Sequence, residues 1–277
     1  MLPPLLRRNP LWQRFAALMF PLSGHRYPSP WYTPYKFREL ACILNSPFDP
    51  NELRPGYGRW LDERIVEYPW LFSRLPQGPG RLLDAGSVLN FAHLLRRPLI
   101  REKALTIMTL APEEHCFWRR AISYVYGDLR SIPFQDEYFH QIVCISTLEH
   151  IGLDNTLFYT RDAAMRESAP ESHLIALKEM RRVLRPGGLL FLSVPFGRRE
   201  VRSWIQVFDS PAIDRIIETF APRSVCELYF RYHAERGWHL SSSEAAGDSR
   251  YFDFRTDLSW PGHPVAAEAV ACLELQK

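Results

Sequence analysis

Arg81-Leu-Leu-Asp-Ala-Gly-Ser-Val-Leu-Asn-Phe-Ala-His-Leu-Leu95 decides how the chain is to be read. Its apolar run Arg81 to Asp84 ends in an acid, a glycine at position 86 breaks the direction, and Leu89 to Leu95 has helical spacing. That is a strand, a tight turn and a helix, the opening unit of an α/β sheet.

The same alternation continues toward the C-terminus. Ala104 to Met108 reads as a second strand, with a helix predicted to begin over Glu113 to Trp118 after Pro112, a residue favoured in a first helical turn. Ser123 to Tyr126 reads as a third strand and Gln141 to Ser146 as a fourth, whose unbroken apolar run predicts burial on both faces. His173 to Leu184 carries Leu177, Met180 and Leu184 on one helical stripe, and Pro186-Gly-Gly188 stops it before the strand Leu189 to Val194. A helix over Ala212 to Phe220 and strands over Val225 to Tyr232 and Ala269 to Leu275 complete the series. Strands and helices alternating at this spacing imply a doubly wound, mostly parallel sheet.

Composition agrees with a globular chain. Of 277 residues, 46% are hydrophobic and 23% charged, and 17 Phe, 12 Tyr and 8 Trp supply apolar area for a full core. A net charge of +3 is too small to argue for nucleic-acid binding. Cys42, Cys116, Cys144, Cys226 and Cys272 form no CxxC pair, which points away from a zinc site and from a disulfide framework and toward a reducing compartment, the cytoplasm.

Residues 1–78 read as an N-terminal extension, and 79–277 as the α/β domain. The extension is crowded with Pro and aromatics, as in Pro28-Ser-Pro-Trp-Tyr-Thr-Pro-Tyr35, and has little periodicity before a helix near 60–75. Leu11, Trp12, Phe15, Leu18 and Met19 fall at helical spacing beside Arg7, Arg8 and Arg14. Two readings follow, an interfacial membrane helix over residues 1–22 or an apolar face docked on the protein's own core, and the second is preferred because short amphipathic helices are common in soluble proteins. The apolar stretch Phe15 to Leu22 is too short to span a bilayer, and no Ala-x-Ala cleavage site follows it.

In an open parallel sheet, ligands bind outside the carboxyl ends of the strands at the switch point of strand order. The loops to interrogate are therefore Asp84 to Asn90, Thr109 to Glu113, Gly127 to Phe134 and Ser146 to Asp154. With Gly127-Asp128-x4-Pro133-Phe134-x4-Phe139, Leu148-Glu149-His150 and Glu179-Met-Arg-Arg-Val-Leu-Arg-Pro-Gly-Gly188 in this order, residues 60–277 resemble the class I S-adenosylmethionine-dependent methyltransferases, in particular their small-molecule branch. The resemblance implies a Rossmann-like sheet of seven strands whose last, Ala269 to Leu275, is reversed. It implies S-adenosylmethionine as cofactor, with Asp84, Gly86 and Ser87 in the turn that holds its amino-acid end, Asp128 and Leu129 reading adenine, and Ser146 on the same edge.

Two departures from the family pattern stand out. Its second and third motif glycines are Val88 and Asn90 here, and the acid that should grip the ribose diol is Thr109, with Glu113 one helical turn onward to reach back. Asn90 tolerates a left-handed backbone, whereas a β-branched Val88 resists positive φ and crowds the cofactor. A hydrogen bond to a lost ribose carboxylate is worth about 1.5–3 kcal/mol, of which Thr109 restores only part.

His150 and Glu149 follow the fourth strand, where an acceptor would lie, and are the candidate catalytic pair; a histidine's ordinary pKa suits a general base. The bland alternative is a histidine bonded to a neighbouring loop. Glu63, Glu67 and Tyr68 either cover the ligand or solvate their helix, residues 154–172 read as a lid, and Arg198 and Arg199 offer cations to an anionic substrate or serve no specific role. No metal site is expected. The functional expectation is methyl transfer to a small molecule, a sugar or glycolipid hydroxyl among the candidates, against a catalytically silent binding or scaffold protein. A nicotinamide enzyme is disfavoured because no Gly-x-Gly-x-x-Gly follows the first strand.

Overall fold

The computed structural model describes residues 10–113, 115–156, 162–257 and 262–277. Three helices lead the chain, α1 (Pro10–Leu22), α2 (Tyr32–Ile43) and α3 (Arg64–Arg74). The strands β1 (Gly80–Ala85), β2 (Lys103–Thr109), β3 (Ser123–Tyr126), β4 (Phe139–Ile145) and β5 (Leu184–Pro195) follow, with α4 (His173–Val183) ahead of β5. Then come α5 (Ser210–Phe220), β6 (Ser224–His233), β7 (Gly237–Ser241) and β8 (Ala269–Gln276).

The strand order is β3-β2-β1-β4-β5-β8-β6-β7. Strands β1 to β5 are mutually parallel, and β8 runs antiparallel to both β5 and β6. The doubly wound sheet with its reversed C-terminal strand is therefore present, but it has eight strands where seven were expected. The extra strand, β7, hairpins back on β6 with Tyr232 opposite Trp238; its Gly-Trp-His-Leu-Ser sequence is too short and too polar to announce a strand. A second difference lies after β2. Residues 113 and 115–117 are not helical, and a single turn follows at Trp118–Arg120.

Period-two alternation divides the core. Leu82, Val143, Ile145 and Phe191 face one layer, with Ile65, Trp70 and Leu71 of α3. Leu83, Ile142, Cys144 and Leu192 face the other, with Leu177 and Met180 of α4 and Ile213 and Ile216 of α5. The five cysteines are free thiols.

Helix α3 contains Pro69, which cannot donate to the carbonyl of Ile65 one turn back. The Tyr57 hydroxyl donates to that carbonyl instead, at 2.9 Å. The N-terminal end of α3 is tied down separately, because the Glu63 carboxylate accepts from the N–H groups of Ala266 at 3.0 Å and Ala267 at 2.6 Å.

Candidate functional site

The order reversal falls between β1 and β4, and the loops leaving these two strands meet there. Gly86 has φ +115°, and a side chain on it would stand 2.7 Å from Thr147 Cβ and closer still to Oγ1 and Cγ2 of that residue. Ser87 also has positive φ, at 66°. Val88 is not among the left-handed residues, so the strain expected of a β-branched residue there does not arise; its N–H bonds Asp84 and its carbonyl accepts from the Tyr68 hydroxyl at 2.7 Å. Asn90 is likewise not left-handed: it staples the next loop by donating to Glu113 at 2.9 Å and to the His115 carbonyl at 3.0 Å.

A cavity of about 440 Å³ opens at this edge. Gly86, Ser87, Thr109, Asp128, Leu129, Ser146 and His150 all line it, so seven of the sequence-derived candidates come together. Three do not reach its wall. Asp84 is fully buried beneath the turn, accepting from Val88 N at 3.0 Å and Leu89 N at 2.8 Å; burial raises its pKa to about 7 against those two bonds. Glu113 is held by Asn90, and Glu149 lies behind His150 with its Oε2 buried and unpartnered. The geometry thus makes Asp84 a brace for the turn, since both of its oxygens are directed at backbone amides.

Two sequence motifs turn out to hold one another. Glu179 accepts from Ile132 N at 3.0 Å, and Arg182 donates to the carbonyls of Ile132 and Phe134, each at 2.8 Å. The α4 motif therefore fixes the loop that carries Asp128. Arg130 in that loop bonds both Asp128 oxygens, at 2.9 and 2.5 Å to Oδ2 and 3.0 Å to Oδ1, and bridges to Glu167 at 2.6 and 2.8 Å. Burial alone would raise the Asp128 pKa, but the bonds from Arg130 outweigh it and hold the carboxyl below its ordinary value.

On the opposite wall, His150 stacks on Trp204 with centroids 5.3 Å apart and planes within 9°. A carbonyl only accepts, so the 2.9 Å contact to the Trp204 carbonyl places the ring proton on Nδ1 and leaves Nε2 as the acceptor. Burial lowers the His150 pKa to about 4, against the opposing effect of that carbonyl. The ordinary histidine pKa assumed from sequence does not hold here, and the ring is a neutral hydrogen-bond acceptor near neutral pH. Glu149 is pushed the other way, to about 8, by burial first and by Glu67 in part, so it is predominantly protonated under the same conditions.

Sequence reasoning missed Arg64, Lys36 and Trp204, all on the cavity wall. The signal for Arg64 was its i,i+3 spacing to Glu67 at the start of a helix leading directly into β1. Arg64 pairs with Glu67, whose other oxygen accepts from Ser146 Oγ at 2.8 Å and Ser193 Oγ at 2.6 Å. Lys36 pairs with Asp62 at 2.6 Å. Arg199 is turned away, donating to Val207 and Gln206, and supplies no cation to the cavity. The expected lid falls partly on residues 157–161, outside the described residues; Asn155, Met165 and Glu167 on either side of them line the cavity.

Residues 100–192 match a family of methyltransferase domains. Solved structures with a similar course include a SAM-dependent methyltransferase, possible histamine N-methyltransferase, from Thermotoga maritima (12% identity, 88% of this chain and 96% of that one, TM-score 0.47). A SAM-dependent methyltransferase from Methanosarcina mazei (12% identity, 74% and 96%, TM-score 0.45) is another. So is the 1,6-didemethyltoxoflavin-N1-methyltransferase of Burkholderia thailandensis, with bound 1,6-didemethyltoxoflavin and S-adenosylhomocysteine (12%, 72% and 72%, TM-score 0.41). No curated protein matches the chain. At these identities and scores the solved structures bear on neither substrate nor site. The matched segment runs from the end of the first crossover into β5 and includes the Asp128 loop and the α4 motif that pins it, so residues 100–192 are similar to a methyltransferase domain.

Proposed function

We propose that the cavity binds S-adenosylmethionine across the ends of β1, β2 and β3, and that the chain transfers its methyl group to a small-molecule acceptor seated toward His150 and Trp204. The observation that carries this reading is the convergence of Gly86, Thr109 and Asp128 from three successive strands on one cavity of about 440 Å³, a volume within the roughly 300–1,000 Å³ usual for small-ligand sites. The donor set fits the cofactor. Asp128 accepts from an adenine amine, Thr109 offers one hydroxyl to the ribose, and the open turn at Gly86 and Ser87 admits the amino-acid end, whose carboxylate matches the Arg64 guanidinium. Ser87 Oγ is buried without a partner, which is costly unless a ligand group meets it.

When bound, the cofactor supplies an electrophilic methyl group on a sulfonium. The chain's own part is positioning, which carries much of an in-line displacement. Phe91, Ile145, Met165 and Trp204 line the cavity with apolar surface that excludes water. His150 Nε2 accepts a hydrogen bond from the nucleophile and orients it; its low proton affinity makes it an aligning group in the ground state, and it takes the proton only as the forming C–O bond makes that oxygen strongly acidic, the sulfur leaving as a neutral thioether. A sugar or glycolipid hydroxyl suits this wall, since an indole offers a flat apolar face and Nε2 a single acceptor.

Calorimetric titration with S-adenosylmethionine and S-adenosylhomocysteine tests the reading, followed by transfer of labelled methyl to simple glycosides. One cofactor per chain is expected. Absence of binding in both the wild type and a folded Thr109→Asp variant would overturn it. A second reading, a binding protein without transfer, is favoured by one observation, the engagement of both Asp128 oxygens by Arg130. Cofactor binding seen in Arg130→Ala but not in the wild type would select it.

A further inference from the structure

The charge of the chain is unevenly distributed. Residues 1–38 contain six of the 34 Lys and Arg residues, namely Arg7, Arg8, Arg14, Arg26, Lys36 and Arg38, and none of the 31 Asp and Glu residues. Helix α1 lies in this segment. Its small face, Ala16 and Ala17 with Phe20, is the one that packs inward, Phe20 lying 4.9 Å from the Tyr35 ring of α2. The larger apolar residues point the other way: Phe15 is 50% exposed, Leu18 56%, Leu22 77% and Leu11 74%. Trp12 and Trp31 cluster with Phe15 at the edge of this face, with centroids 5.3 to 6.1 Å apart. Arg14 and Arg26 are exposed beside it. The preference for an internally docked face, drawn from sequence, is therefore half corrected, because α1 has two apolar arcs and, among the described residues, only the smaller is covered.

We propose that the outer face of α1 is a docking surface for an anionic lipid bilayer, on which the helix lies in the plane of the headgroups. An exposed arc of Leu and Phe, rimmed by Trp and by Arg in a segment without acids, is what such a boundary recognises: acyl chains take the aliphatic residues, headgroup depth suits indole, and anionic lipid meets the arginines. No helix among the described residues is long and apolar enough to cross a membrane, so the contact is peripheral. A second copy of the chain is a poorer occupant, since the same acid-free segment would face itself across a two-fold contact. The inference is independent of the methyl-transfer reading.

The full chain is to be sedimented with vesicles of phosphatidylcholine alone and of phosphatidylcholine with phosphatidylglycerol, at low and high salt. Binding is expected only to the mixed vesicles and is weakened by salt. Phe15→Asp and Leu18→Asp should each weaken it about ten-fold or more through lost apolar burial. Arg14→Glu, at an exposed position, should weaken it about five-fold or more and guards against misfolding of the other two. Failure of the wild type to bind mixed vesicles would overturn the proposal, as would binding that ignores both salt and Arg14→Glu. Concentration-dependent self-association lost in Leu18→Asp would assign the face to a second copy instead.

Discussion

Replacing Gly86 with Ala tests whether the ligand edge is built by the pinch between the β1 and β4 loops. Two costs are separable. An L side chain at φ +115° is strained whatever the space around it, at about 1–3 kcal/mol. The new Cβ would also meet Thr147 at three atoms, with Thr147 Cβ at 2.7 Å, and overpacking of this kind costs about 1–3 kcal/mol. The single variant should therefore lose roughly 2–6 kcal/mol of stability. Thr147→Ala would leave the offending Cβ in place, so the informative partner is Thr147→Gly, which removes all three atoms. It also removes the bond from Thr147 Oγ1 to the Ile145 carbonyl and adds chain entropy of about 0.5–1 kcal/mol to the unfolded state. In a urea-denaturation cycle, the double variant should recover the steric part alone, a coupling of about 1–3 kcal/mol, well outside the 0.3–0.5 kcal/mol scatter of independent sites. A Gly86→Ala cost below about 1 kcal/mol, or additive single effects, would refute the pinch as the reason for the glycine.

Tyr57→Phe should strand the Ile65 carbonyl and cost about 1–3 kcal/mol, and adding Pro69→Ala, which restores an N–H one turn along α3, should return part of it in thermal melts. The two buried carboxyls should make stability fall as pH rises from about 4.3 toward 8: burial lifts Glu149 to about 8 and Glu63 to about 7, so the folded state holds protons that the unfolded chain sheds near pH 4.3. His150, lowered to about 4 from 6.5, acts in the opposite sense, adding stability that is present above pH 6.5 and lost as pH falls toward 4; the two effects oppose each other below pH 6.5, so Glu149→Gln should flatten the fall above pH 6.5 and steepen the rise below it in a melting-temperature profile. Asp128→Ala should weaken S-adenosylmethionine binding by roughly 5- to 150-fold, whereas Thr109→Asp should tighten it, both read by calorimetry. Val88→Gly should bring no backbone relief, because Val88 already holds an ordinary φ, and any gain in affinity would come from space alone.

The strands from β1 to β6 and β8 were legible because their periodicity is local: apolar runs, Pro-Gly-Gly at a helix end and a glycine after an acid are written in adjacent residues. The ligand edge was legible for the same reason, each strand delivering its next residue to it. What stayed hidden depended on partners far away in sequence. Glu67 read as covering the ligand or solvating its helix, yet it is fully buried against Ser146 and Ser193. The identity of the left-handed residue was hidden too, since a motif places glycines by position and this turn shifts the strain to Ser87. For α1, a helix with two apolar arcs carries no mark in its sequence of which one turns inward.

The Glu67 carboxylate bonds side chains 79 and 126 residues further along the chain, and Glu63 bonds backbone 203 and 204 residues away. Contacts of such separation form late and slowly, after loop closure has been completed for each. On the ribosome, α3 can meet Val88 through Tyr68 early, but Glu67 lacks Ser193 until β5 has emerged and Glu63 lacks its amides until residue 267 has. The order of synthesis therefore leaves the α3 wall of the cavity incompletely anchored in a partly made chain. A nascent polypeptide released before residue 267 would present the β1 to β4 edge with one wall incompletely anchored, and cofactor affinity, followed across a series of stalled chain lengths, should rise once residue 267 has emerged.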